Sequence, residues 1–246
     1  MEKQQIEQTA KSLESQVREG KTDRFAEQLH NMPEADRKAI AQQIKADAQK
    51  SPDFLPNLTF TDNGELKSSD SYGNSDRVDH ETKSTHSEFD NGKLKTIDTN
   101  NFNGSKDHYS FDPNGNQISN DKTSANGDKE HDVYDPSTHK QTSAHIDFAN
   151  GDKEDDKFNR SSGNKETSDL THADGSTDHA DFDRSGSVIL KSHSKKADGT
   201  QIDAIYDDKT TNPTFVNITS PYGELKQFHY DPKTDALQPL PQALKN

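Results

Sequence analysis

A mainly β fold is predicted: a repetitive antiparallel β-meander, an extended single sheet or open solenoid with about 12 residues per strand and turn, preceded by a short α-helical segment. Three observations predict it. Glycine recurs at 64, 73, 92, 104, 115, 127, 151, 163, 175, 186, 199 and 223, so most intervals are about 12 residues or twice that. The segments between glycines alternate by two, as in QTSAHIDF, where Thr142, Ala144, Ile146 and Phe148 share one face and Gln141, Ser143, His145 and Asp147 the other. Only 25% of the 246 residues are hydrophobic and 30% are charged, too thin an apolar supply for a two-layer globule of this size.

The first 50 residues read as helices. Ile6, Ala10, Leu13 and Val17 recur at helical spacing, and Gly20 supplies a stop. A second helix is expected after Thr22, carrying Phe25, Ala26 and Leu29. Asn31, with Pro33 and Glu34 behind it, is the expected cap of a third helix bearing Ala39, Ile40 and Ile44. Two prolines in SPDFLPNL then break the pattern. The expected division is a helical cap or docking segment, 1–50, and an acidic β-hairpin repeat array, 51–246.

Two turn types alternate along the array. SANGDK, FANGDK, HADGST and KADGTQ are tight, with Asn-Gly or Asp-Gly suited to a two-residue reversal. FDPNGN, YDPSTH, FNRSSG, FDRSGS and YDPKTD are wider, with an aromatic and an Asp or Asn leading in. Two turns make a unit of about 24 residues. The structural positions singled out are therefore an aromatic ladder, Phe111, Tyr134, Phe158, Phe182, Tyr206 and Tyr230, and the turn glycines Gly115, Gly127, Gly151, Gly175 and Gly199. The ladder is expected to pack within the array, with stacking on an extended glycan or peptide as its other use. One aromatic per strand cannot offset the ordering of some 12 residues, on the order of 12–24 kcal/mol, so stability must be cooperative along the array.

Charge and composition exclude several functions. Nine acidic and nine basic side chains fall before Ser51, so the whole net charge of −14 belongs to the remainder, which disfavours a nucleic-acid partner. No apolar run is long enough to span a membrane and no leader is evident, making the cytoplasm the expected compartment, with leaderless secretion as the other route. Zero cysteines remove disulfides, thiolate metal sites and thiol nucleophiles.

Chemistry is sparse. In THADGSTDHADFD, His179, Asp181 and Asp183 are expected to share one strand face, where they could present ligands to a divalent metal, although one strand supplies no converging ligands. FDPNGN and FDRSG echo calcium loops but lack the acidic run and distant Glu, so turn chemistry accounts for their acids. NLT and NIT match glycosylation sequons at Asn57 and Asn217, the latter expected within a strand. No nucleophile motif or glycine-rich phosphate loop appears. No catalytic residue, metal or cofactor is assigned.

Residues 89–117, FDNGKLKTIDTNNFNGSKDHYSFDPNGNQ, resemble the MORN-variant repeats of bacterial proteins. HYSFDPNGN, HDVYDP, HADFDRSG, AIYDDK and FHYDPK are similar, more distantly, to the tyrosine-aspartate repeats of the RHS group. The resemblance covers most of residues 60–235 and implies repeat β architecture with roles in binding, cell-surface structures or toxin and immunity systems. It departs in having no Trp and in placing KDHYS or KEHDV where the MORN variant has Gly and Trp. The expected function is a noncatalytic acidic interaction surface or spacer for a protein partner, a basic one by charge. The alternatives are an immunity-like inhibitor of a basic toxin and a metal-binding module.

Overall fold

The computed structural model describes residues 1–50, 57–72 and 82–240; both prolines of SPDFLPNL and Gly73 lie outside them. Sixteen antiparallel strands follow one another in sequence order in an open sheet that does not close, as the fold class predicts. The chain forms two compact units, Met1–Ala125 and Asn126–Asn246.

The first unit holds helices α1 (Lys3–Arg18), α2 (Thr22–His30) and α3 (Glu34–Lys50) and strands β1 (Asn57–Phe60), β2 (Leu66–Tyr72), β3 (Thr82–Asp90), β4 (Lys93–Asn101), β5 (Lys106–Phe111) and β6 (Gln117–Thr123). Gly20, at φ +76°, ends α1. Its N–H reaches Val17 O and the Lys21 N–H reaches Gln16 O, which satisfies two carbonyls of the last turn. Asn31 does not cap α3: it closes α2, its N–H on Glu27 O at 3.1 Å. The start of α3 lies three residues further on, at Glu34, where the Asp36 and Arg37 N–H groups bond Pro33 O.

Most of the molecule's apolar burial is here. Ala10, Leu13, Val17, Phe25, Ala26, Leu29, Ile40 and Ile44 form one cluster with Leu66 and Phe89 from the sheet. Phe25 meets Phe60 edge to face, with centroids 6.4 Å apart. Polar contacts fix the helices on the sheet and on each other: His30 Nδ1 lies 3.0 Å from Glu65 and Lys93 pairs with Glu27 at 2.8 Å, while Arg37 of α3 donates to His30 O of α2 at 2.8 Å.

The second unit is strand and turn only: β7 (Lys129–Tyr134), β8 (Gln141–Asp147), β9 (Lys153–Phe158), β10 (Lys165–Thr171), β11 (Thr177–Phe182), β12 (Ile189–Lys195), β13 (Gln201–Tyr206), β14 (Pro213–Thr219), β15 (Leu225–Asp231) and β16 (Ala236–Pro239). Its tight turns differ from the two-residue reversal expected of Asn-Gly. Gly151 N–H closes on Phe148 O and Phe148 N–H on Asp152 O, with Gly151 at φ +94° and no positive φ at Asn150. The Asn150 side chain instead accepts the Asp152 N–H, an Asx arrangement that leaves the left-handed conformation to glycine. Asp174 and Asp198 do the same for Ser176 and Thr200. Only in the first unit do two consecutive residues, Asn91 and Gly92, both take positive φ, giving the short reversal between Asp90 and Lys93.

The wide turns between β7 and β14 carry a feature the sequence does not announce, one that YDPKTD, between β15 and β16, lacks. Tyr134 pairs with Gln141 but Val133 with Ser143, so Thr142 is an extra residue opposite the aromatic. The same shift leaves Glu166 extra opposite Phe158, Leu190 opposite Phe182 and Thr214 opposite Tyr206. These are β-bulges. Thr142 and Thr214 return their hydroxyls to the Val133 and Ile205 carbonyls.

Candidate functional surface

Burial separates the two faces of the second unit. Along β9 the pattern runs exposed, intermediate, exposed, buried, exposed, intermediate, and β13 repeats it. The more buried side carries Tyr134, Phe158, Phe182, Tyr206 and Tyr230, none fully buried and none fully exposed. Between them runs a mid-strand row in register: Asp132, Ala144, Asp156, Ser168, Ala180, Ser192, Ala204 and Val216.

Two tyrosine hydroxyls are tethered to this row, and that of Tyr230 to residues outside it. Tyr134 donates to Asp132 at 3.5 Å, Tyr206 meets Ser192 Oγ at 3.2 Å, and Tyr230 donates to Asp235 while accepting from Asn212. Lys165 sits between two rings, its Nζ 5.9 Å from the Phe158 centroid and 5.8 Å from that of Phe182, within cation–π range. It also pairs with buried Asp156 at 2.5 Å. Phe182 opens onto a shallow depression of about 400 Å³ lined by Asn159, Lys165, Glu166 and Arg184. Phe111, in the first unit, lines a different cleft of about 560 Å³ with Glu27, His30, Asp90 and Lys93.

The five singled-out glycines all lie in turns at positive φ, from +83° at Gly175 to +97° at Gly127. Where a wide turn lacks glycine, His139 and Thr211 take the left-handed conformation at φ +56° and +58°. The lead-in acids are turn ligands: Asp112 accepts the Asn114 and Asn116 N–H groups, Asp135 those of Ser137 and Thr138, and Asp207 those of Lys209 and Thr210. Turn amides hold the Asp112 and Asp207 carboxyls below their ordinary range, through Asn116 first in one and Thr210 in the other. Asp183 is one of these turn acids, bonded to Ser185 Oγ and the Ser187 N–H, not a member of the β11 face. The expected trio of His179, Asp181 and Asp183 is thereby corrected. Among the described residues no group of three or more His, Asp or Glu could hold a metal.

The opposite face holds what sequence reasoning missed. His145 Nδ1 lies 2.7 Å from Asp155, His179 Nδ1 2.6 Å from Asp169, and His193 Nδ1 2.6 Å from Asp203. All are mid-strand and in register, with His131 opposite His145 and His179 opposite His193. The first unit repeats the motif, His86 on Asp70 at 2.6 Å and His108 on Asp98 at 2.7 Å. Donating to the Asp70 and Asp169 carboxylates raises the His86 and His179 imidazoles above their ordinary value. A signal was present: His and Asp ten residues apart, as at His145 and Asp155, span one hairpin from mid-strand to mid-strand.

No family model matches the chain, and no curated protein does. Solved structures similar to it include proteins assigned as 6-phosphogluconolactonases from Bacteroides uniformis (TM-score 0.19, 8% identity, 75% of this chain and 83% of that one) and Bacteroides fragilis (0.17, 10%, 74% and 82%). A third is the periplasmic gluconolactonase of Pseudomonas aeruginosa (0.16, 10%, 76% and 84%). The noncatalytic protein-binding surface or spacer, with its inhibitor and metal-module alternatives, is corrected accordingly: the matches are to proteins titled as lactonases, not to binding arrays. At these TM-scores the similarity defines this chain as neither an enzyme nor a non-enzyme. No helix among the described residues is long and apolar enough to cross a membrane.

Proposed function

We propose that the aromatic face of the second unit binds a neutral linear polysaccharide. The observation that supports this reading is the register of Tyr134, Phe158, Phe182, Tyr206 and Tyr230: one ring on every second strand, half-buried, with tethered hydroxyls. Neighbouring rings stand two strand spacings apart, about 9–10 Å, a separation of the order of a disaccharide unit. A ring laid against the sheet turns one π face outward, and the C–H face of a pyranose stacks on such a surface. Glu130, Glu154 and Asp178, half-buried on this same face, accept hydrogen bonds from sugar hydroxyls. Their charge argues for a polymer without acidic groups of its own.

Calorimetric titration with hydroxyethyl cellulose, a soluble neutral glucan, tests the reading. The double variant Phe182→Leu with Tyr206→Leu keeps apolar contact and removes two π faces. It is expected to weaken binding at least about tenfold with an unchanged circular dichroism spectrum. Equal binding by the variant, or none by the wild type, would sink the reading.

A further inference from the structure

The histidine face differs from the aromatic face in charge as well as in burial. Along β7–β13 it presents five exposed lysines, Lys129, Lys153, Lys157, Lys191 and Lys195. Five aspartates, Asp147, Asp155, Asp169, Asp181 and Asp203, balance them. With neutral imidazoles the face is therefore uncharged overall, although the chain carries −14. Every imidazole that takes a proton adds uncompensated positive charge.

We propose that this face is a second binding surface, taking up a linear polyanionic polysaccharide when its imidazoles are protonated and releasing it when they are neutral. His145 faces Asp155 on β9, Asp147 on its own strand at 3.6 Å and His131 on β7. His179 faces Asp169 on β10, Asp181 on its own strand at 3.4 Å and His193 on β12. His193 faces Asp203 on β13 and His179 on β11, with Lys191 and Lys195 flanking it along β12. A carboxylate only accepts, so each Nδ1 that it holds is the protonated nitrogen, and Nε2 of the neutral ring is an acceptor. Protonation converts Nε2 into an N–H donor. On His145 and His179 that donor meets Asp147 and Asp181 on the same strand, so what reaches an anion is the positive charge added along the row.

The imidazoles share one row across the strands with Asp155, Asp169 and Asp203, and the lysines lie in the rows on either side of it, an extended surface that suits a linear polymer. Ile205 is the one large apolar side chain exposed on this face among the described residues of β7–β13, and Leu225 adds a second on β15, too little to insert into a lipid surface. Dextran sulfate is the probe, titrated at low ionic strength near pH 5 and near pH 8, either side of the imidazole range. Affinity is expected to be at least about tenfold higher at the lower pH. His179→Gln with His193→Gln, which leaves His131 and His145 in place, should reduce that difference severalfold. Lys191→Gln with Lys195→Gln, both at exposed positions, should weaken binding near pH 5 without altering the circular dichroism spectrum. Phe182→Leu with Tyr206→Leu should leave it untouched, so failure here and failure of the neutral-glycan reading are separable. Binding that ignores pH, a wild-type pH response in the histidine variant, or stronger binding to phosphatidylglycerol vesicles than to dextran sulfate would overturn the assignment.

Discussion

Gly64 shows how much a single position fixes in the first unit. It lies at φ +82°, and a Cβ there would stand 2.6 Å from the Lys38 backbone nitrogen. Both the left-handed conformation and the close approach of α3 exclude a side chain. Gly64→Ala is expected to cost more than about 1 kcal/mol. Gly104→Ala, at φ +90° with nothing within 4 Å, should cost less; a urea midpoint that falls equally for both would show that the helix contact contributes nothing. Asp156 makes the same kind of point in the second unit. It is buried, and Lys165 is held on it between two rings. Asp156→Ala should destabilise by about 1–3 kcal/mol, because the ammonium loses its nearer carboxylate on a half-buried face and keeps only Glu154, at 3.5 Å. An unchanged unfolding midpoint would contradict that role.

At the scale of the strand and turn, neighbouring tight turns are stitched together. Asp128 accepts the Ala149 N–H and Asp152 the Ala173 N–H, both at 2.8 Å, and these amides hold both carboxyls below their ordinary range. Asp152→Ala should lower the melting temperature, whereas Asp208→Ala, an exposed acid in a wide turn, should not. The histidine–aspartate pairs give the array an acid-side optimum. A His86 or His179 raised above its unfolded value contributes stability that is present below the unfolded imidazole pKa and lost as pH rises through the folded one. Carboxyls held low, such as Asp152, lose their contribution as pH falls through their folded values. Thermal melts are therefore expected to show a higher midpoint near pH 6 than near pH 8; a midpoint that climbs across that interval would contradict this.

Much of this scale was legible. The glycine phase and the alternation in QTSAHIDF mark strands and turns, because both reflect local backbone geometry. The bulges at Thr142, Glu166, Leu190 and Thr214 were not, because a bulge is a relation between two strands and leaves no residue type behind. Asn31 misled for a related reason: the same side chain type suits the end of one helix and the start of the next.

For the whole molecule, composition is a poor guide to surface. A net charge of −14 suggests one acidic field, yet register sorts the charges. Lysines and imidazoles oppose the aspartates on one face of the second unit, while the acids near the rings and in the turns carry the excess. A one-residue change of register would exchange the two faces, so no count of residues could have revealed the division. The helices add a different kind of organisation, concentrating apolar burial on Leu66 and Phe89 of the first unit and leaving the strands of the second to aromatic packing, turn acids and ladder hydrogen bonds.

The division of faces is the central claim, and backbone amide chemical-shift mapping of the full chain tests it directly. Hydroxyethyl cellulose is predicted to move the resonances around Tyr134, Phe158, Phe182 and Tyr206 at any pH where the chain is folded. Dextran sulfate is predicted to move those around His145, His179 and His193 only on the acid side. Perturbation of the same residues by both polymers, or of neither set, would contradict it.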